Sequence, residues 1–278
     1  MNAVPLIAAP LLCVDGLCIG ATGAAPIVQN LSFSVNSGEV LGIVGESGSG
    51  KSLTAYAIAG LLPAGLRVTG GRMELEGRSL EALSGRERRA LAGSRVAMVF
   101  QDPLSSFNPV RTIGSLLIES AMRHRSLSAA NARQAAIVAL ADVRLPQPDV
   151  VIDAYPHQLS GGQRQRAMIA LARLNSPALL IADEPTTALD ATVQLQILAL
   201  LKRSVGSGAM VLITHDLGVA ATMCNRIAVM HRGQCVEEGT ATQILDTPRH
   251  PYTRQLLAAA QSLTRHGDAS RVGGVAQS

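Results

Sequence analysis

Aromatic residues are nearly missing from this chain of 278 residues: three Tyr, three Phe and no Trp, or 2% of the total. With so little to stack on bases, no nucleic-acid partner is expected. Lysine is almost as scarce, since Lys51 and Lys202 are the only two among 24 basic residues. The net charge of +4 is modest, and mixed-sign stretches such as Arg86-Glu87-Arg88-Arg89 read as solvated helix surface. Cys13, Cys18, Cys224 and Cys235 form no C-x-x-C pair, which points to reduced thiols in the cytosol rather than to zinc or disulfides. No uninterrupted apolar run approaches the ~18 residues of a membrane span. The apolar N-terminus lacks the basic start of a signal peptide. What remains is a length that can bury a large core, as one domain or one domain with a sub-lobe.

Against this background two glycine-rich segments stand out. Gly45-Glu46-Ser47-Gly48-Ser49-Gly50-Lys51-Ser52 is a complete G-x-x-x-x-G-K-[ST] loop. The apolar run Val40 to Val44 before it reads as a buried strand, and Leu53 to Leu62 after it reads as a helix. Between them backbone N–H groups can curl around phosphates at the positive end of the helix. Lys51 can reach the β- and γ-phosphates, and the Ser52 hydroxyl can ligate Mg²⁺. The second segment, Leu159-Ser160-Gly161-Gly162-Gln163, is a Gly-Gly turn that opens another helix. One cradle suffices for one nucleotide, so two imply that two copies or relatives of this chain face each other and share their nucleotides.

The rest of the chain supplies a frame. Leu11 to Ile19 and Ile27 to Val35 read as strands, and Gly70-Gly71 is expected to interrupt the chain before a short strand near Met73 to Leu75. Ser84 should cap a helix over Gly85 to Leu91. Val96 to Phe100 reads as a buried strand, and Ile113 to Ala141 as helix with a break near Ser126 to Ser128. From Leu179 on, strand and helix alternate: Leu179 to Ala182, Ala191 to Val205, Met210 to Thr214, Leu217 to Met223. That alternation predicts a parallel sheet with helices on its faces. The insertion after Gln101 and before Gly162 reads as a separate helical lobe.

Hydrolytic groups sit at the strand ends. Asp183 and Glu184 follow the wholly apolar Leu179 to Ala182, as expected of a central parallel strand. Asp183 would anchor Mg²⁺, and Glu184 would orient or deprotonate an attacking water. His215 closes the neighbouring strand and is placed to contact a γ-phosphate at the same sheet edge. No N-K-x-D segment is present, which argues against a GTPase.

In order and spacing, the loop at Gly45 to Ser52, Gln101, Leu159 to Gln163, the strand ending at Glu184, Ala188-Leu189-Asp190 and His215 resemble the six motifs of ATP-binding cassette (ABC) transporter ATPases. The resemblance covers residues ~11 to 260 and is highly specific. It implies an α/β fold: a P-loop NTPase cassette with a mostly parallel core sheet, an N-terminal antiparallel β subdomain and a helical signature lobe. Residues 1–260 would be one domain with the lobe at about 102–174, and 261–278 a flexible tail. The resemblance also implies ATP and Mg²⁺, with Gly45 through Leu53 holding the nucleotide and Ser52, Gln101 and Asp183 the metal. Ser160, Gly161, Gly162 and Gln163 would reach the nucleotide of an opposing cassette, and Asp190 would bridge the pair. Glu184, His215 and Gln101 would carry catalysis.

Four further segments narrow the likeness: Phe100-Gln101-Asp102-Pro103, Ser106-Phe107-Asn108-Pro109, Tyr155-Pro156-His157-Gln158 and His250-Pro251-Tyr252-Thr253. They resemble the peptide/nickel importer subfamily, with Leu62-Pro63-Ala64-Gly65 closer to the nickel type. That subfamily implies two permeases, a second and usually different ATPase, and an external binding protein. It places the chain peripherally on the cytoplasmic face of the inner membrane. A soluble, non-transport ABC ATPase is the alternative; such proteins are usually tandem or carry coiled-coil insertions, and neither is visible here. Two departures matter. The aromatic residue that the family stacks on adenine has no counterpart near Gly20 or Ala21, which predicts weaker ATP affinity and a weaker preference over GTP. Gln261 to Ser278 contains no cysteine, so an iron–sulfur cluster is excluded there.

Overall fold

In the computed structural model, which describes residues 9–187 and 189–260, two sheets and a set of helices form a layered α/β fold. The first sheet joins β1 (Leu12–Ala21), β2 (Val28–Val35), β4 (Leu66–Leu75) and β5 (Arg78–Ser79), antiparallel throughout in the order β2-β1-β4-β5. β4 is longer than the sequence reading expects, because it runs straight through Gly70-Gly71. Its ladder with β1 slips between Asp15↔Arg72 and Cys18↔Gly70. At that slip Gly71 holds φ +82°, and a Cβ there would lie 2.4 Å from the Gly16 carbonyl. The glycines mark a bulge with close backbone approach, not a strand end.

The second sheet has the order β10-β9-β3-β8-β7-β6. Its members are β3 (Val40–Val44), β6 (Val96–Val99), β7 (Leu179–Asp183), β8 (Ala209–Thr214), β9 (Arg226–His231) and β10 (Gln234–Thr240). All neighbours are parallel except β9 and β10. β3, β7 and β8 are buried at every residue, which is why they read as unbroken apolar runs. Side chains alternate across the sheet. Leu41, Ile43, Ile181, Val211 and Ile213 pack toward the antiparallel sheet and the helix α1 (Lys51–Ala59). Val40, Val44, Leu180, Ala182 and Leu212 pack toward the other face.

On that other face lie the helices between β6 and β7. They are α3 (Pro103–Ser106), α4 (Ile113–Arg125), α5 (Ala129–Asp142), α6 (Pro148–Val151) and α7 (Gly161–Arg173). Buried Ala121, Ala132, Ala136 and Leu140 keep α4 and α5 close, and the cluster is continuous with the sheet. The predicted helix over Gly85 to Leu91 is present as α2, closed by a Ser84–Glu87 capping box. After β7 and β8 come α8 (Ala191–Ser204) and α9 (Leu217–Met223); α10 (Ala241–Asp246) and a last helix, α11 over 251–260, follow β10. The parallel order brings the C-terminal ends of β3, β8, β7 and β6 to one edge. The phosphate loop, His215, Asp183-Glu184 and Gln101 therefore converge there.

Candidate active site

The phosphate loop leaves β3 and turns into α1 at Gly50, which sits in the left-handed region at φ +98°. Of the helices α1 to α10, only α1 and the four-residue α6 lack a side-chain cap. Ser84, Asp102, Thr112, Ser128, Ser160, Asp190, Asp216 and Thr240 cap the others. The first N–H groups of α1 thus remain free to meet an anion. Gly45 is required by close packing: a Cβ there would lie 2.1 Å from the Met230 carbonyl oxygen on β9. Lys51 is buried, and its ammonium donates to the carbonyl oxygens of Gly45 (2.8 Å) and Glu46 (2.7 Å). Burial lowers its pKa, against the pull of Glu184, Asp183 and Glu46. The curled loop therefore stores a poised cation at its centre.

Ser52 donates its hydroxyl to Asp183 Oδ1 at 2.9 Å, joining residues 131 apart in the chain. Asp183 is 1% exposed, and burial raises its pKa above the ordinary 3.8 despite Ser52, Tyr56 and Lys51. Tyr56, one turn along α1, has its own pKa raised by burial and by the Asp183 charge. Sequence reasoning overlooked Tyr56, because an interior helix position carries no motif. Since the folded chain holds the Asp183 proton more tightly than the unfolded chain, this group favours folding most below pH 3.8. That contribution is lost as pH rises through the raised value. Asp183→Asn should therefore melt a few degrees above the nucleotide-free wild type at pH 7, with the gap closing toward pH 4. Calorimetric scans across that range check it; a lower melting point for the variant contradicts it.

Glu184 is held from three sides. Gln101 Nε2 donates to its Oε2 (3.2 Å), the Thr187 hydroxyl donates to the same oxygen (3.0 Å), and His215 Nδ1 lies 3.2 Å from Oε1. The backbone of Glu184 is left-handed at φ +44°, a conformation that costs a non-glycine residue about 1–3 kcal/mol and concentrates at working sites. Its N–H is anchored on the Ile213 carbonyl of β8 at 2.9 Å. Thr187 is the second residue that sequence reasoning missed. These groups line a cavity of about 800 Å³ together with Gly45, Gly48, Gly50, Lys51, Ser52 and Leu53. Ser47 and Glu46 also border it. Ser49 does not: it is buried, and its hydroxyl has no hydrogen-bond partner.

The remaining predicted residues sit elsewhere on the chain. Ser160 and Gln163 form a capping box at the start of α7, and Ser160 and Gly161 are exposed. A Cβ on Gly162 would lie 2.9 Å from Val193 of α8, so the Gly-Gly turn packs closely on that helix. Asp190 is exposed and caps α8 by accepting from the Val193 N–H at 3.0 Å. None of these five lines the cavity, and Ala188 lies outside the described residues. Neither Gly20 nor Ala21 lines the cavity, and no Phe, Tyr or Trp does; aliphatic Ile27 and Leu256 form part of its wall instead. The cavity is large enough for a nucleoside triphosphate, and its glycine cradle, buried ammonium and adjoining hydroxyl–carboxylate pair suit phosphates with a divalent cation.

Comparison with known proteins agrees with this chemistry. The family model described as ABC transporter matches residues 28–187. A second model, oligopeptide/dipeptide transporter C-terminal region, matches residues 236–277 and so extends into 261–278, the predicted tail, which lies outside the described residues. The chain is 49% identical over 254 residues to the dipeptide transport ATP-binding protein DppD of Escherichia coli, covering 90% of this chain and 78% of that protein. It is 49% identical over 257 residues to a probable peptide ABC transporter ATP-binding protein of Sinorhizobium fredii, covering 91% and 76%. Among solved structures, a dimer of the ATP-binding cassette MJ0796 in a post-hydrolysis state with ADP and Pi superposes with a TM-score of 0.74 at 26% identity. That match covers 83% of this chain and 98% of the other. The cradle, the buried cation and the paired acids thus sit in a fold and a sequence that agree, and the chain belongs to the ABC transporter family as an ATP-binding, ATP-hydrolysing cassette.

Proposed function

We propose that this cassette energises the uptake of short peptides through partner membrane permeases, by hydrolysing ATP in the cavity beside Lys51. The observation that carries the reading is Glu184, clamped by Gln101, Thr187 and His215 at the mouth of a phosphate cradle. The peptide cargo is favoured by the likeness over 90% of the chain to a dipeptide transport ATP-binding protein.

In this reading Lys51 exchanges its two carbonyl partners for phosphate oxygens when nucleotide enters. Ser52 and Asp183 hold Mg²⁺, with Gln101 beside them, and the ion neutralises phosphate charge when bound. Glu184 takes the proton of the attacking water, while His215 fixes Glu184 and faces the γ-phosphate. Ser160, Gly161, Gly162 and Gln163 meet the phosphates bound to a facing cassette, with Asp190 at the seam. The dimer of the similar MJ0796 cassette supports such pairing. A groove of about 460 Å³ lined by Leu61, Met98, Phe100, Phe107, Leu116 and Leu171 opens where β6 meets the helical lobe. It is assigned to a permease helix, so that lobe motion on hydrolysis reaches the membrane. Among the described residues no helix is long and apolar enough to cross a membrane, in keeping with peripheral attachment at the cytoplasmic face of the inner membrane. A second ATPase and an external binding protein complete the proposed importer.

The test is uptake in the parent cell after deletion of this chain. Loss of labelled dipeptide uptake, restored by the wild type and not by Lys51→Ala, is the expected result. Intact dipeptide uptake with lost nickel uptake would replace the cargo, and no change in either would overturn the importer reading.

A further inference from the structure

The His250-Pro251-Tyr252-Thr253 segment lies 206 residues from the phosphate loop in sequence, yet it touches that loop. The Glu46 N–H donates to the Tyr252 hydroxyl oxygen at 3.2 Å. Tyr252 is 7% exposed and its ring packs on His231, at the end of β9, with centroids 3.9 Å apart and planes tilted by 32°. The start of α11 is itself fixed from β10: the two Glu237 carboxylate oxygens accept the N–H groups of Arg249 (2.7 Å) and His250 (3.0 Å). One turn further, Leu256 reaches the cavity wall. The turn after β9 braces the loop from the same side, since the Gly233 N–H donates to the Ser49 carbonyl oxygen at 3.1 Å.

The Glu46 N–H shares its planar peptide unit with the Gly45 carbonyl, whose oxygen receives Lys51 at 2.8 Å, so whatever fixes that unit also fixes one end of the lysine's resting place. We propose that Tyr252 is a positioning residue for the phosphate loop, its phenol oxygen fixing the Gly45–Glu46 peptide and so coupling the C-terminal helix to nucleotide affinity. The inference rests on the nucleotide reading of the cavity. Tyr252 lies outside the lining and touches no reacting group, so it acts on binding through Glu46 and leaves the hydrolytic step alone.

The experiment compares wild type, Tyr252→Phe and Lys51→Ala by equilibrium binding of a fluorescent ATP analogue, by steady-state kinetics in the assembled transporter, and by melting without nucleotide. Phe keeps the ring packing and deletes only the hydrogen-bond acceptor, so Kd and KM should rise about two- to tenfold with kcat essentially unchanged. A variant that melts lower yet binds and turns over like wild type would make Tyr252 a packing residue and overturn the proposal. Unchanged Tyr252→Phe binding beside weakened Lys51→Ala binding refutes the Tyr252 role alone; Lys51→Ala binding like wild type refutes the nucleotide reading itself. If the Phe variant fails to fold, amide exchange in the nucleotide-free wild type decides: a protected Glu46 N–H is required, and exchange at the rate of an open loop contradicts the proposal.

Discussion

Glu184→Gln should cut steady-state ATP turnover by about 10²–10⁴-fold in the assembled transporter while ATP still binds. The amide preserves the size of the side chain and can still accept from Gln101 and Thr187, so the clamp around the residue survives. What disappears is the capacity to take a proton from water. The φ of +44° persists as well, because the N–H contact to Ile213 holds the backbone regardless of the side chain. Phosphate release assayed beside nucleotide binding separates the two effects. Near-normal turnover would remove Glu184 from the base role and turn attention to the groups around it.

Lys51→Ala is expected to lose nucleotide affinity by about 10- to 150-fold, the range for hydrogen bonds to a charged partner at 1.5–3 kcal/mol. The side chain is the cation at the centre of the cradle, and the sequence has only one other lysine, Lys202. Lys202 lies on α8 and donates to the Thr222 carbonyl oxygen at 3.1 Å, so it is engaged elsewhere. Arginine is not a substitute, because its wide planar head does not fit a position that is 4% exposed. Isothermal titration with ATP measures the loss, and affinity within about twofold of wild type would contradict the assignment.

Much of this was readable before the structure, and the limits have physical causes. β3 and β8 stood out as apolar runs because a central parallel strand is buried on both faces. α2 and α9 match their expected bounds, the first because Ser84 announces it as a cap and the second because it continues the alternation of strand and helix. The helix after the phosphate loop was expected to run to Leu62; it stops at Ala59 because Gly60 turns left-handed at φ 73° and caps it. The sequence alone marks β4 as shorter than it is, since glycine signals a break as readily as a bulge and only the partner strand decides which. The hairpin of β9 and β10 and helix α11 went unread. Polar β10 pairs only with β9 at the edge of the sheet, so it lacks the apolar signature of its neighbours.

At the site, the motif residues were legible because phosphate chemistry dictates their types and spacing. Tyr56, Thr187 and Tyr252 were not, because each acts through a contact that exists only after folding. Tyr252 is the plainest case: a motif of unknown purpose in the sequence becomes a hydrogen-bond acceptor beneath the phosphate loop. Ser49 shows the opposite limit, a motif position whose side chain turns inward, away from the cavity.

The central claim is that this cassette powers a membrane importer. Its most direct test is a pull-down from detergent-solubilised membranes, using a tag placed after Ser278, with every co-purifying chain identified by mass. The account predicts two permeases and a second ABC ATPase, with the external binding protein recoverable alongside them. Recovery from the soluble fraction alone, without membrane partners, would contradict it and assign the ATPase to work away from the membrane.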